Sequence, residues 1–386
     1  MDAQPCLRHS DPEQAMIFHH PLPLEEDGAV ASRIRPWQMA RAFEQLGYQV
    51  ERVTGYSADR QRAIARLKKE IAQGRRFAFL YSESSTMPTA LTDPHRWSIH
   101  PWLDLAFWAW LRRRGIPIGL FYRDFYWRFP LYRERVPWYK RAITIPLYGY
   151  EWWAYGRLVN HLFLPTMAAR EVLPTPWPQE RLSALWPGCN PVRLAEERPQ
   201  DGILRLFYVG SVVPQVYDVK KLMEIVRTLE GISLTICCPE KEWQVWSGFY
   251  APALAENIHI VHAHGATLEP YFRSADTLVI LQGASTYFQF AMPFKLFDAL
   301  GYGLPAITSA GTEAARFVAQ ENIGWKVANT EELRNLLLYL RAHPEALAAK
   351  RRAALAARER HTWLVRARTV AEILTGRQPA GADAPR

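Results

Sequence analysis

Residues 291–318, AMPFKLFDALGYGLPAITSAGTEAARFV, leave the chain few choices. A proline-led turn opens a short amphipathic helix, and Lys295 and Asp298 stand three residues apart on one of its faces. Gly301 and Gly303 end that helix. Pro305 then starts an apolar run, LPAIT, which reads as a buried strand. A second small turn, SAGTE, leads into another helix. A helix start with free backbone N–H groups, a cation and a carboxylate within one turn suits a ligand carrying a diphosphate and a ribose.

The same alternation runs through the whole chain. AMIFHH (15–20), YQVERVTG, FAFLYSES (77–84) and IPIGLFYRD (116–124) read as strands, separated by helical stretches. One helix runs from about Arg35 to Leu46. Another starts at Ser57, as N-cap, and ends at Gly74. A long aromatic helical region covers 136–158, and HLFLPT is a further strand. Strands that are continuously apolar and separated by helices predict a parallel, doubly wound sheet. A polar segment, RLAEERPQDG (193–202), reads as a linker. A second alternating unit follows it: ILRLFYVGS, DVKKLMEIVRTLEG, ISLTICC, IHIVHAHG, TLEPYFRSA, DTLVIL, then the opening segment and GWKV. The expected organisation is a loose tail over 1–14, a first Rossmann-like domain over 15–192 and a second over 203–342. Helices fill 343–376, and a disordered tail occupies 377–386. Two such halves predict a ligand cleft between them, at the carboxyl ends of the strands.

Composition narrows the class. The chain has 386 residues, 49% hydrophobic and 22% charged, which is ample for two cores. No run approaches the roughly eighteen apolar residues of a spanning helix. The start, MDAQPCLRHSDPEQ, lacks the apolar core of a secretory signal. Of the four cysteines, Cys237 and Cys238 are adjacent in an apparent strand and face opposite ways, so buried thiols are expected rather than a bridge. These features predict a cytoplasmic protein. Net charge is +9, which asks for an anionic partner. Thirteen per cent of residues are aromatic, concentrated over 97–156 and interleaved with arginines. Such a pattern suits a membrane interface or single-stranded nucleic acid, and equally a Trp-rich core beside a basic face. The 38 acidic residues and the lack of a long basic run argue against nucleic acid.

The second half resembles the C-terminal domain of GT-B fold glycosyltransferases, especially the large retaining nucleotide-sugar group (group 1, family 4-like). FYVGS (207–211) is similar to the strand that opens that domain. LEPYFRSADTLVIL (268–281), PFKLFDALGYGLPAITS (293–309) and GTEAARFVAQENIGWKV (311–327) resemble its later segments, in order. The first half is similar in architecture only, and the helices over 343–376 are similar to those that cross back to the first domain in that family. Four positions depart from the family. The first of its two glutamates falls on Phe290 and the second on Asp298, its arginine after Gly210 is Ser211, and its histidine is replaced by Arg123 and Asp124.

The resemblance implies a GT-B fold of two Rossmann-like domains facing a central cleft. The donor sits on the second domain and the acceptor on the first. Asp298 would accept hydrogen bonds from the ribose diol, and Lys295 would neutralise the departing diphosphate. Gly210 and Ser211 would approach the phosphates closely. Phe294 opens the helix whose backbone N–H groups face sugar or phosphate, and the backbone at His264 would read the base. Glu313 is a further donor contact, although a first-turn acid behind a Thr312 cap explains it as well. Gly28 would let the first domain approach the donor. Asp124 would act as base on the acceptor hydroxyl if the enzyme inverts, with an Asp–Arg structural pair as the alternative. Glu83 and His100 are lesser acceptor candidates. No metal or cofactor is expected.

The expected activity is transfer of a sugar from a nucleotide-sugar, a UDP- or GDP-sugar by expectation, to a glycan or lipid-linked acceptor. It would serve cell-surface glycan assembly at the inner face of the cytoplasmic membrane. A nucleotide-sugar epimerase on the same fold, or a non-catalytic binder of anionic lipid or nucleic acid, stays open as an alternative.

Overall fold

The computed structural model describes residues 15–26, 31–97, 100–123, 125–193, 201–214, 217–281 and 290–376. Gly28, Asp124, both expected tails and most of the expected linker lie outside them. The chain divides into two compact units, Met1–Trp186 together with Leu364–Arg386, and Pro187–Trp363.

The first unit is built on strands β1 (Ala15–His20), β2 (Gln49–Thr54), β3 (Leu80–Glu83), β4 (Ile118–Phe121), β5 (His161–Leu164) and β6 (Leu182–Ala184). They lie in the order β2-β1-β3-β4-β5-β6, and every pairing is parallel. β1, β3, β4 and β5 are buried along their whole length. Burial on both faces is why their sequences run mostly apolar without alternating, the polar exceptions including His19, His20, Ser82 and Glu83 at the carboxyl ends of β1 and β3. Between them lie α1 (Ala31–Gln45), α2 (Ser57–Ala72), α3 (Leu103–Arg112), α4 (Pro130–Arg135) and α5 (Trp138–Leu158).

Ser57 does not cap α2, because Tyr56 takes the cap position. The Ser57 amide and hydroxyl instead donate to Asp93, at 2.7 and 2.6 Å. A long-range carboxylate outcompetes the local capping bond. The aromatic region splits in two. Trp108 and Trp152 join Tyr122, Tyr155 and Trp177 in the core, whereas Trp97, Trp102, Trp138 and Trp153 are exposed.

The second unit holds β7 (Leu204–Val209), β8 (Ile232–Cys237), β9 (Ile258–Val261), β10 (Thr277–Ile280), β11 (Ala306–Ser309) and β12 (Gly324–Val327). Their order is β12-β11-β10-β7-β8-β9, again parallel throughout. Its helices are α6 (Lys220–Val226), α7 (Glu240–Tyr250), α8 (Glu269–Ser274), α9 (Phe294–Gly301), α10 (Glu313–Gln320), α11 (Thr330–Ala342) and α12 (Pro344–Arg358). A last helix, α13 (Trp363–Thr375), returns the chain to the first unit.

The sequence reading does not anticipate α7. Its stretch EKEWQVWSGFY buries only Tyr250 fully, so it carries little of the stripe that marks a core-facing helix. The core packs Leu206, Leu234, Ile236, Val279 and Ile307 of the sheet against Leu222 and Met223 of α6 and Leu333, Leu337 and Leu340 of α11. Each such side chain contributes about 1.5–3 kcal/mol when fully buried. Cys237 and Cys238 are buried free thiols, as expected, and Cys189 is buried and free as well.

Candidate active site

In the second sheet the strand order reverses between β7 and β10, and ligands of open α/β sheets bind at the carboxyl ends beside such a reversal. Gly210 follows β7 at that point, with φ +153°. The Lys295 ammonium occupies the space that a Cβ on Gly210 would fill. It also faces the Tyr208 and Tyr217 rings, 5.3 and 5.9 Å from their centroids. A side chain at position 210 would displace the ammonium, so glycine is what allows the approach.

Local sequence puts Lys295 there. Pro293 caps α9 in an extended conformation, and Leu296, Phe297, Ala299 and Leu300 anchor the helix in the core. Gly303, at φ +61°, turns the chain out of α9 beneath Leu355. Lys295 and Asp298 lie on the half-buried side of the helix. Neither has a hydrogen-bond or ion-pair partner among the described residues. Burial pushes Lys295 down to about 8, against the pull of Asp298. Burial likewise pushes Asp298 up to about 7, against the pull of Lys295. Two charges held part-desolvated and unpaired are costly unless a ligand completes them.

The other predicted residues distribute as follows. The Ser211 hydroxyl donates to Glu242 at 2.7 Å, and the Val212 amide donates to the same carboxylate oxygen at 3.0 Å. The Tyr208 hydroxyl donates to the Ser211 carbonyl at 2.6 Å. The turn after β7 is therefore held from α7. Glu242 was not anticipated, and its only local signal is an acid in the first turn of a helix.

Cys237, at the end of β8, takes the Ala263 amide on its sulfur at 3.4 Å. This brings the segment containing His264 to the same end of the sheet. His264 itself is exposed, and its amide donates to Thr267 at 3.0 Å. Phe294 packs its ring 5.6 Å from that of Trp363. Thr312 caps α10 by accepting from the Ala315 amide at 3.1 Å, and Glu313 pairs with Arg316. The structure thus gathers Gly210, Ser211, Lys295 and Asp298, with the His264 segment beside them, and gives Glu313 a local partner.

The first unit holds a polar interior of which sequence reasoning named only Glu83. His19 Nδ1 and Ser82 Oγ are 2.7 Å apart, and His19 Nε2 is 3.0 Å from Asp104. Arg60 donates to both oxygens of Asp104, at 2.9 and 3.0 Å. Burial pushes Asp104 up, but the hydrogen bond from His19 and the charges of His19 and Arg60 outweigh it, and its pKa falls to about 2. Glu83, at the end of β3, accepts from Arg35 at 3.0 Å and from the Tyr81 hydroxyl at 2.7 Å. His100 is half-buried, and its carbonyl accepts from the Leu103 amide at the start of α3.

Two parallel six-stranded sheets flanked by helices, each in its own unit, define the GT-B class of α/β protein. A family model described as "Glycosyl transferase-like" matches residues 219–372, which contain Lys295 and Asp298. With that match on this fold, the chain is a glycosyltransferase of the GT-B class. Solved structures agree on the fold. Sucrose-phosphate synthase from Thermosynechococcus elongatus is 14% identical, with a TM-score of 0.57 over 94% of this chain and 98% of its own. The Anabaena protein HepE in complex with UDP-glucose is 10% identical, with a TM-score of 0.60 over 94% and 99%. WaaG, a glycosyltransferase involved in lipopolysaccharide biosynthesis, is 14% identical, with a TM-score of 0.53 over 94% and 99%. No curated protein is recognisably similar to the chain by sequence.

Proposed function

We propose that this glycosyltransferase uses a nucleoside-diphosphate sugar, with the second unit holding the donor, and passes the sugar to a glycan or lipid-linked acceptor in cell-surface glycan assembly. The observation that carries the reading is the Lys295 ammonium. It is half-buried, has no hydrogen-bond or ion-pair partner among the described residues, and is seated against Gly210 at the strand-order reversal. In glycosyl transfer the bond between the anomeric carbon and the diphosphate oxygen breaks, and a bond to the acceptor oxygen forms. The acceptor hydroxyl gives up its proton, and negative charge collects on the departing diphosphate. A desolvated ammonium next to that oxygen is worth most as the charge develops. Asp298, one turn along α9, is a free acceptor for a vicinal diol. The UDP-glucose complex of HepE supports the donor class, and the role of WaaG in lipopolysaccharide biosynthesis supports the acceptor class. The acceptor class in turn suggests work at a membrane face.

The test is a panel of UDP- and GDP-sugars with the purified chain, reading released nucleoside diphosphate and sugar isomers. One donor should release its diphosphate, and Lys295→Ala should cut that release by roughly 10²–10³-fold. An isomerised donor with no release would point to an epimerase. No release with any donor, together with no thermal shift by UDP or GDP, would remove the reading.

A further inference from the structure

The first unit carries a stripe of exposed aromatic and aliphatic side chains along one helix. Tyr139, Ile143, Pro146, Tyr150, Trp153 and Arg157 of α5 recur at helical spacing and fall on a single line along its axis. All are exposed or half-buried. The opposite side of the helix, with Tyr148, Trp152 and Tyr155, is in the core. Ile143 is 59% exposed, Trp153 53% and the neighbouring Trp102 60%. Water rarely keeps such side chains so open in one place. They form a continuous surface: the Trp102 ring stands edge-on to Tyr150 at 4.9 Å, and Tyr150 stacks on Trp153 at 6.0 Å. Trp138, at the start of the helix, is 73% exposed.

The charges beside this stripe are predominantly basic. Over Pro130–Leu158 the basic residues are Arg133, Arg135, Lys140, Arg141 and Arg157, against Glu134 and Glu151. Glu151 is buried, which leaves Glu134 as the one exposed acid of the two helices. The Arg157 guanidinium lies 4.0 Å over the Trp153 ring, an arrangement that keeps its charge at the rim of the apolar surface. No described helix is long and apolar enough to cross a membrane. An apolar stripe rich in Trp and Tyr with a basic border is the make-up of a helix that lies in the headgroup region.

We propose that the exposed face of α5, extended by Trp102, docks on an anionic phospholipid bilayer, with the aromatic side chains at the boundary between headgroups and acyl chains and the basic ones on the headgroups. This deepens the membrane part of the proposed function but rests on the stripe alone, not on the donor site.

The test uses the full chain sedimented with vesicles of phosphatidylcholine alone or mixed with phosphatidylglycerol. Binding should need phosphatidylglycerol and weaken between about 0.1 and about 0.5 M salt. The double variant Ile143→Glu/Trp153→Glu should bind at least roughly tenfold more weakly, with unchanged circular dichroism and unchanged thermal shift by nucleoside diphosphates. Lys140→Glu/Arg157→Glu should weaken binding while leaving the apolar stripe intact. The proposal is overturned if the chain stays in solution with every vesicle, or if the double variant sediments like the parent. It is equally overturned if the chain is a dimer that Ile143→Glu splits while no vesicle is bound. Loss of the nucleotide-induced shift with vesicle binding intact would remove the donor reading and leave this surface standing.

Discussion

The ammonium of Lys295 rests on the bare α-carbon of Gly210, in the space any other residue there would fill with a Cβ. Gly210→Ala should therefore push Lys295 away from the turn after β7 while leaving the sheet intact. The lysine can move aside, but φ +153° strains any residue that carries a Cβ, so stability should fall by about 1–3 kcal/mol. Transfer should fall by roughly 10²-fold, since a misplacement of about 1 Å at the reacting centre costs that much. Paired melting curves and donor turnover check this. Turnover that falls only in step with the folded fraction would mean that the glycine serves the fold alone.

Lys295 carries its charge below a pKa of about 8 and loses it above. Binding of a nucleoside diphosphate should weaken as pH rises through about 8. Lys295→Arg should abolish that alkaline limb, because arginine stays charged. Asp298 raises the Lys295 pKa, so Asp298→Asn should move the limb to lower pH. Calorimetric titration of UDP or GDP between pH 6.5 and pH 9.5, about the span needed to bracket the limb, reads all three. A limb that Lys295→Arg leaves in place belongs to another group.

Glu151 of α5 is buried, and burial raises it to about 7 although the Thr89 amide and the Tyr155 hydroxyl donate to it. A raised carboxyl contributes its stability in full below the unfolded pKa and loses it as pH rises through the folded one. The parent should lose stability between about pH 5 and about pH 8. Glu151→Gln should flatten that fall by on the order of 1–3 kcal/mol. Denaturant unfolding at the two pH values decides, and parallel slopes for parent and variant would refute it.

Arg60 is held by both oxygens of Asp104 and by the carbonyls of Pro21 and Gly55. Arg60→Ala strands a buried carboxylate and two backbone acceptors. The expected cost is about 3–5 kcal/mol, or roughly 10 °C in the melting of a unit this size. Asp104→Asn removes the charge but keeps an acceptor, so it should cost less. Equal melting of parent and Arg60→Ala would show that the network is slack.

How legible was this protein in its sequence? The alternation of strand and helix, both parallel sheets and the helix carrying Lys295 and Asp298 follow from local patterns. Buried parallel strands are mostly apolar, and a turn out of a helix at positive φ favours glycine, so Gly303 marks the end of α9, whose last helical residue is Gly301. Helix α7 escaped because it presents little of an apolar face. Ser57 reads as a cap because only local partners are visible along a chain, whereas Asp93 is a distant one.

What the chain alone determines, then, is its periodicity: where strands, helices and turns fall, and that a lysine and an aspartate share one helical face. Tertiary structure decided which side chains meet. It set the Lys295 ammonium on Gly210, drew Ser211 to Glu242, buried the Asp104 network and divided one run of tryptophans between core and surface. The reason is physical. Backbone periodicity is written within a few residues, but desolvation, ion pairing and close packing depend on neighbours that only folding brings near.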